Sequence, residues 1–174
     1  MLKITYEDIT KMEVDAIVNA ANKTLEMGGG VCGAIFNAAG KKMLQEACEK
    51  HAPIAVGEAV ITPGFNLPAR YIIHTAGPRY IDGKHGENIL LKDCYRNSLI
   101  LANLHGCKTV AFPLVSSGIY GYPKDEAFTI AVKAIKDTIN NLADIYSDNN
   151  CKNNFAGLNL SHCYGFGIRL AKLT

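Results

Sequence analysis

One stretch of 27 residues, Val14 to Gly40 (VDAIVNAANKTLEMGGGVCGAIFNAAG), limits what this chain can become. Val14, Ala16, Ile17 and Val18 form a short apolar run, as expected of a strand covered on both faces. Asn19 and Asn22 follow at its carboxyl end. Gly28, Gly29 and Gly30 let the main chain come close to a ligand and turn its N–H groups inward. A helix is predicted from about Val31, and its positive end points at the same place. Strand end, glycine loop and helix start together predict an anion site for a phosphate or pyrophosphate. The simpler reading of the three glycines is a flexible turn.

Gly28, Gly30 and Gly33 spell G-x-G-x-x-G, the dinucleotide fingerprint. That fingerprint places its glycines directly after the strand, whereas eight residues separate Asn19 from Gly28. It also needs an acidic residue closing a second strand roughly 20 residues on. Glu58 is the nearest candidate, and it opens a strand. The P-loop pattern fails as well, because Gly40-Lys41 is followed by Lys42.

The rest of the chain alternates strands with helices. Strands are expected at Leu2 to Tyr6 on an edge, Ala59 to Thr62, Tyr71 to Ala76, and Thr109 to Leu114. Helices are expected at Lys41 to Lys50, Glu87 to Leu104, and from Pro123, with Ala127, Ile130, Ala131, Ala134, Ile135 and Leu142 as a buried stripe. His74 within an apolar strand reads as a satisfied core residue. The alternation predicts an α/β fold, a three-layer α/β/α sandwich with a mixed, largely parallel central sheet. In such sheets ligands bind beyond the carboxyl ends of the strands. Gly28 to Gly30 and Gly118 to Gly121 both leave such ends, so one rim carries two loops for two phosphates.

At 174 residues the chain suits one core, so residues 1–174 are expected to form a single domain. A net charge of +2, with no basic stripe interleaved with aromatics, argues against nucleic acid. No run is long enough to span a bilayer, and MLKITYEDIT lacks the features of a signal peptide. A cytoplasmic monomer is therefore expected. The six cysteines (Cys32, Cys48, Cys94, Cys107, Cys151 and Cys163) show no zinc spacing, and neither a metal nor a cofactor is predicted.

VDAIVNAAN, GGGV and AIFNAAG, followed by TPGFNLPARYIIHTAGP and VAFPLVSSGIYGYP, resemble the motifs of the macrodomain family. The resemblance covers roughly residues 2 to 140, with the motifs in family order. It implies ADP-ribose, free or on a mono-ADP-ribosylated protein, as ligand. Asp8 matches the aspartate that accepts from the adenine amino group, and Ile9 would lie beside the ring. Ala21, Gly28, Gly29, Gly30 and Val31 belong to the first loop. Ser117, Gly118, Ile119, Tyr120 and Gly121 would hold the diphosphate, with Tyr120 over the distal ribose. Asn22 matches the asparagine that bonds the hydroxyls of that sugar, and an amide can both donate and accept.

Two departures bear on function. Many hydrolytic relatives read GGGVDG, with an aspartate that positions or activates water. Cys32 stands there in this chain. A neutral thiol is a poor substitute, although a thiol near a helix N-terminus can become a reactive thiolate. No histidine is placed by sequence as its base. The second departure is the tail, residues 144–174. DIYSDNNCKNN reads as a polar loop, Phe155 to Tyr164 as the last strand, and Phe166 to Thr174 as barely two turns of helix. Tyr164 matches the aromatic that the family sets against the adenosine. The tail is either a divergent, shortened edge or a segment altered by a change of frame.

The resemblance implies binding of ADP-ribose with weakened hydrolysis of mono-ADP-ribosyl esters on acidic residues or of O-acetyl-ADP-ribose. Asn22 and Cys32 are the candidate catalytic residues. De-ADP-ribosylation and processing of ADP-ribose 1″-phosphate belong to the same chemistry. The alternative is a non-catalytic reader of ADP-ribosylated protein.

Overall fold

The computed structural model describes residues 2–147 and 167–171. In chain order the elements are β1 (Leu2–Thr5), a 3-10 turn (Ile9–Lys11), β2 (Ala16–Ala21), α1 (Gly30–Ala39), α2 (Lys41–Glu49), β3 (Ala59–Pro63), β4 (Tyr71–Ala76), α3 (Glu87–Leu104), β5 (Thr109–Phe112), α4 (Lys124–Ser147) and β6 (Gly167–Ala171). The six strands form one sheet in the order β1-β6-β5-β2-β4-β3. Only β3 runs against its neighbour, β4; the other pairings are parallel. The sheet is thus mixed and largely parallel, as expected, and the carboxyl ends of five strands share one rim.

β2 sits between β4 and β5, and five of its six residues are buried. Its side chains alternate between two cores. Ile17 and Ala21 pack with Ile35 and Phe36 of α1 and Leu44 of α2. Ala16 and Val18 pack with Leu91, Tyr95 and Leu99 of α3 and with Ala127, Ala131 and Ile135 of α4. Fully burying a side chain such as Ile17 or Phe36 contributes about 1.5–3 kcal/mol. Helices therefore cover both faces of the sheet, which is why a run such as AIV carries no polar alternation.

β2 starts at Ala16 rather than Val14 and continues to Ala21, so Asn19 lies inside the sheet instead of beyond the strand's end. Register explains how a buried amide is tolerated there. Asn19 stands directly opposite His74 of β4. Its Nδ2 lies 3.1 Å from His74 Nδ1 and 3.6 Å from Cys32 Sγ. With Asn19 donating to Nδ1, the ring proton sits on Nε2 and donates to Thr62 Oγ1 at 2.9 Å. Burial, and after it the charge of His51, pushes the His74 pKa down to about 3, so the ring is neutral. His74 is the satisfied core histidine its apolar strand suggests.

The tail departs from expectation. Gly167–Ala171, expected as helix, is strand β6 and lies between β1 and β5, parallel to both. Five residues are too few to offset helix nucleation. As a strand they complete ladders on two sides. The expected strand over 155–164 lies outside the described residues, as do Cys151 and Cys163. The four described cysteines outside that segment (Cys32, Cys48, Cys94 and Cys107) are buried free thiols.

Candidate functional site

A cleft of about 440 Å³ opens on the carboxyl rim where the chain leaves β2, β4 and β5. The first wall follows β2: Ala20, Ala21 and Asn22, then Gly28 to Cys32. α1 starts here without a side-chain cap or an acidic residue in its first turn, so its leading N–H groups have no partner within the helix. Gly33 lets this helix lie against the loop: a Cβ there would fall 2.7 Å from the Gly28 carbonyl oxygen.

Asn22 is held firmly by its own loop. Its Oδ1 accepts from Thr24 Oγ1 at 3.0 Å and from Glu26 N at 3.1 Å, and its Nδ2 donates to Glu26 O at 2.9 Å. Thr24 Oγ1 also lies 3.0 Å from Glu26 Oε2, and its single proton serves one of the two oxygens. The Glu26 main chain thus holds both ends of the Asn22 amide, which keeps one N–H, and a lone pair whenever Thr24 turns to the carboxylate, for a ligand. Cys32 lies close by, since Asn22 Nδ2 and Cys32 Sγ are 3.6 and 3.9 Å from the point where a Gly28 Cβ would be. Its thiol donates to Glu26 O at 3.8 Å and accepts from Asn19 Nδ2. Its route to His74 runs through that amide, so no imidazole touches the thiol as a base would.

The second wall follows β5. Tyr95 of α3 accepts from Val115 N at 3.0 Å and pins the strand's exit, and burial raises the pKa of this phenol. Leu114, Val115 and Ser116 lead into Ser117, Gly118, Ile119 and Tyr120. Ser117 Oγ donates back to Leu114 O at 2.8 Å, and Gly121 N bonds to Gly118 O at 3.0 Å, so the loop is a closed turn. Ile119 reaches across the cleft, its Cδ1 within 3.0 Å of a Cβ built on Gly29. Ser116 has a left-handed backbone at φ +65°, and its buried Oγ has no hydrogen-bond partner among the described residues.

The third side is the segment after β4, with Gly77 and Arg79. Tyr80 N donates to Tyr120 O at 2.9 Å and ties this segment to the second loop. The Arg79 guanidinium carbon lies 4.9 Å from the centroid of the Tyr120 ring. Lys124, at the start of α4, completes the lining. The described lining holds two cations and no carboxylate or imidazole.

Of the residues expected at the site, Ala21, Asn22, Gly28 to Cys32 and Ser117 to Tyr120 line this cleft. Gly121 closes the second loop without lining the cleft. Ile9 does not line it either, because its side chain is 1% exposed and belongs to the core beneath α1. Asp8 sits on the same rim but beyond β1, outside the cleft lining. Its Oδ1 accepts from Thr10 N at 3.0 Å and Thr10 Oγ1 at 2.7 Å. Those bonds, the hydroxyl's first, hold its carboxyl below the usual range, so it is an ionised acceptor at neutral pH. Tyr164 lies outside the described residues. Sequence reading missed Gly77, Arg79, Ser116 and Lys124. The Arg-Tyr pair after TAGP and the lysine after YGYP are visible in the sequence, but nothing local marks either as facing a cleft.

A second polar cluster joins Asp82, His85 and Glu87. Glu87 accepts from the main-chain N–H groups of Ile81, Asp82, Gly83 and His85. Main-chain N–H groups, its own first, draw its pKa down to about 2. His85 Nδ1 lies 2.9 Å from Asp82 Oδ1. These oxygens are spent on organising the loop before α3. Among the described residues, no helix is long and apolar enough to cross a membrane.

The Macro domain family profile matches residues 18–131. A macro domain-containing protein of Chlorobaculum tepidum is 54% identical over 132 residues, covering 76% of each chain. A Pantoea vagans protein named O-acetyl-ADP-ribose deacetylase 1 is 52% identical over 145 residues, covering 80% of this chain and 84% of its own. Among solved structures, a glycine-to-valine variant of the Oceanobacillus iheyensis macrodomain with ADPR superposes with a TM-score of 0.80 at 34% identity, over 99% of this chain and 85% of that one. The Trypanosoma brucei macrodomain in complex with ADP-ribose gives 0.79 at 32% identity, over 99% and 64%. The sheet order, the two loops on one rim and these likenesses lead to one conclusion: the chain belongs to the Macro domain family.

Proposed function

We propose that the chain binds ADP-ribose in the cleft between the β2 and β5 loops and slowly hydrolyses esters at its distal sugar. The carrying observation is the cleft itself, two main-chain loops and a bare helix N-terminus around about 440 Å³, with Asn22 held on its wall by the Glu26 main chain. Such a site suits a diphosphate, because main-chain N–H groups and the helix dipole act together on anionic oxygens. Asp8, ionised and acceptor-only, suits the adenine amino group at the far end of the rim. Asn22 donates to a hydroxyl of the distal ribose, over which Tyr120 packs. The substrates are O-acetyl-ADP-ribose and mono-ADP-ribosyl esters of acidic side chains, in keeping with relatives named O-acetyl-ADP-ribose deacetylase.

Cys32 limits the rate. In this reading water is aligned by the ligand's own phosphate and by the loops, which supply proximity without a strong base. The absence of a carboxylate or imidazole from the described lining favours one second reading, a reader that holds ADP-ribosylated protein without turning it over. Calorimetric titration with ADP-ribose, for the wild type and Asp8→Ala, tests the common core of both. One-site binding weakened about tenfold by the substitution is expected, as for loss of a charge-assisted hydrogen bond. A folded protein that does not bind ADP-ribose refutes both readings.

A further inference from the structure

We propose that Arg79, seated on Tyr120 and seconded by Lys124, selects the group attached to the distal sugar, and that this group is a polypeptide rich in carboxylates. The inference rests on the ADP-ribose reading and adds to it a substrate preference. Sheet order gives the direction. Asp8 follows β1 at one edge, the two loops follow β5 and β2, and Arg79 follows β4, next in line beyond β2. A ligand with its adenine at Asp8 and its distal sugar at Asn22 therefore ends on the Arg79 side. Whatever is bonded to that sugar leaves the cleft past the guanidinium.

The cations there are not paired directly. Arg79 and Lys124 are both exposed, and neither forms an ion pair with a carboxylate among the described residues. Arg79 is nonetheless held in place, because its guanidinium carbon lies 4.9 Å over the centre of the Tyr120 ring and the following residue bonds to the Tyr120 carbonyl. A guanidinium over a ring face keeps N–H groups that do not point at the ring for a carboxylate. Lys124 lines the cleft at the start of a long helix, while Asp125 and Glu126 in the same turn balance the dipole, so Lys124 is the lesser partner of Arg79. A small neutral ester such as acetyl uses neither cation. A peptide with Asp or Glu beside its modified residue uses both.

The test compares three probes on the wild type, Arg79→Gln and Arg79→Lys by fluorescence competition. The probes are ADP-ribose and two peptides of equal length joined to ADP-ribose through a hydrolysis-resistant bond, one flanked by Asp and Glu, the other by Ser and Gln. The wild type should prefer the acidic peptide by about fivefold at low salt, the scale of an exposed but fixed ion pair. Arg79→Gln should remove most of that preference, read as the ratio of the two peptide affinities whatever the change in affinity for ADP-ribose itself, and Arg79→Lys should restore part of it. Raising the salt from about 50 to about 500 mM should erase it in the wild type. Equal wild-type affinity for the two peptides overturns the proposal. So does an Arg79→Gln loss that is the same for all three probes, which would make the guanidinium an anchor for the diphosphate. Failure of every probe, ADP-ribose included, would instead overturn the reading of the site on which the proposal rests.

Discussion

Gly77→Ala probes how the cleft is built. Gly77 directly follows β4 beside the second loop, and a Cβ there would run into Ser116 Oγ and lie 2.8 Å from Val115 Cγ1. Both contacts are too short to survive, and neither neighbour can retreat freely. Val115 is fully buried, and Ser116 is 6% exposed with a left-handed backbone already disfavoured for a side chain. Overpacking of this kind costs about 1–3 kcal/mol. For a domain of this size about 2 kcal/mol lowers Tm by about 4–8 °C. Part of the strain should be relieved by displacing Ser116 to Tyr120, so ADP-ribose affinity should fall about tenfold as well. The double variant Gly77→Ala/Ser116→Ala removes the shorter clash but keeps the one with Val115. It should therefore recover about half of the lost stability, giving a coupling of about 1 kcal/mol in a double-mutant cycle. Thermal denaturation and calorimetry on the four proteins measure both quantities. A Gly77→Ala protein as stable and as tight-binding as the wild type would refute the packing described, and additive effects would refute the role given to Ser116.

Cys32→Asp separates the slow hydrolase from the reader. A hydrolase short of its carboxylate should gain about a hundredfold in turnover of O-acetyl-ADP-ribose, the lower end of the range for positioned acid–base groups; an unchanged rate with ADP-ribose affinity intact would favour the reader. The gain should come with a stability loss of about 1–2 kcal/mol, because the carboxylate replaces a thiol that donates to the Glu26 carbonyl. His74 predicts a pH dependence. Its folded pKa, about 3, lies below the unfolded value of about 6.5, so the unfolded chain takes up the proton first. Its contribution to stability is complete above about pH 6.5 and is lost progressively as pH falls toward 3, at up to about 1.4 kcal/mol per pH unit. Between pH 6.5 and 5 the depressed carboxylates of Asp8, Asp15 and Glu87 are still largely ionised in both states and add little to the slope, so its loss on removing the imidazole reports the histidine. Denaturant melts of the wild type and His74→Phe across that window check it, and identical slopes would refute it.

The sequence by itself determined much of this protein. Tyr71–Ala76 and Glu87–Leu104 are visible, because a mostly apolar, β-branched run and a 3.6-residue periodicity are local properties. The glycine loops are legible because a glycine run after a strand reports a backbone requirement, whereas Asn22 and Cys32 stand out through the resemblance to the macrodomain motifs. Tertiary structure decided what lies across from what. Asn19 reads as a polar residue past a strand end until the β2–β4 register sets it against His74. Gly77 looks ordinary until Ser116, 39 residues on, occupies the space of its missing side chain. Arg79 has no local pattern at all; it acquires a place only when Tyr120 comes under it. Gly167–Ala171 becomes a strand because β1 and β5 leave a gap that five residues fill. Periodicity records which face of an element is buried. Which partner covers that face depends on sheet order and register, and these are set by contacts between residues far apart in the chain.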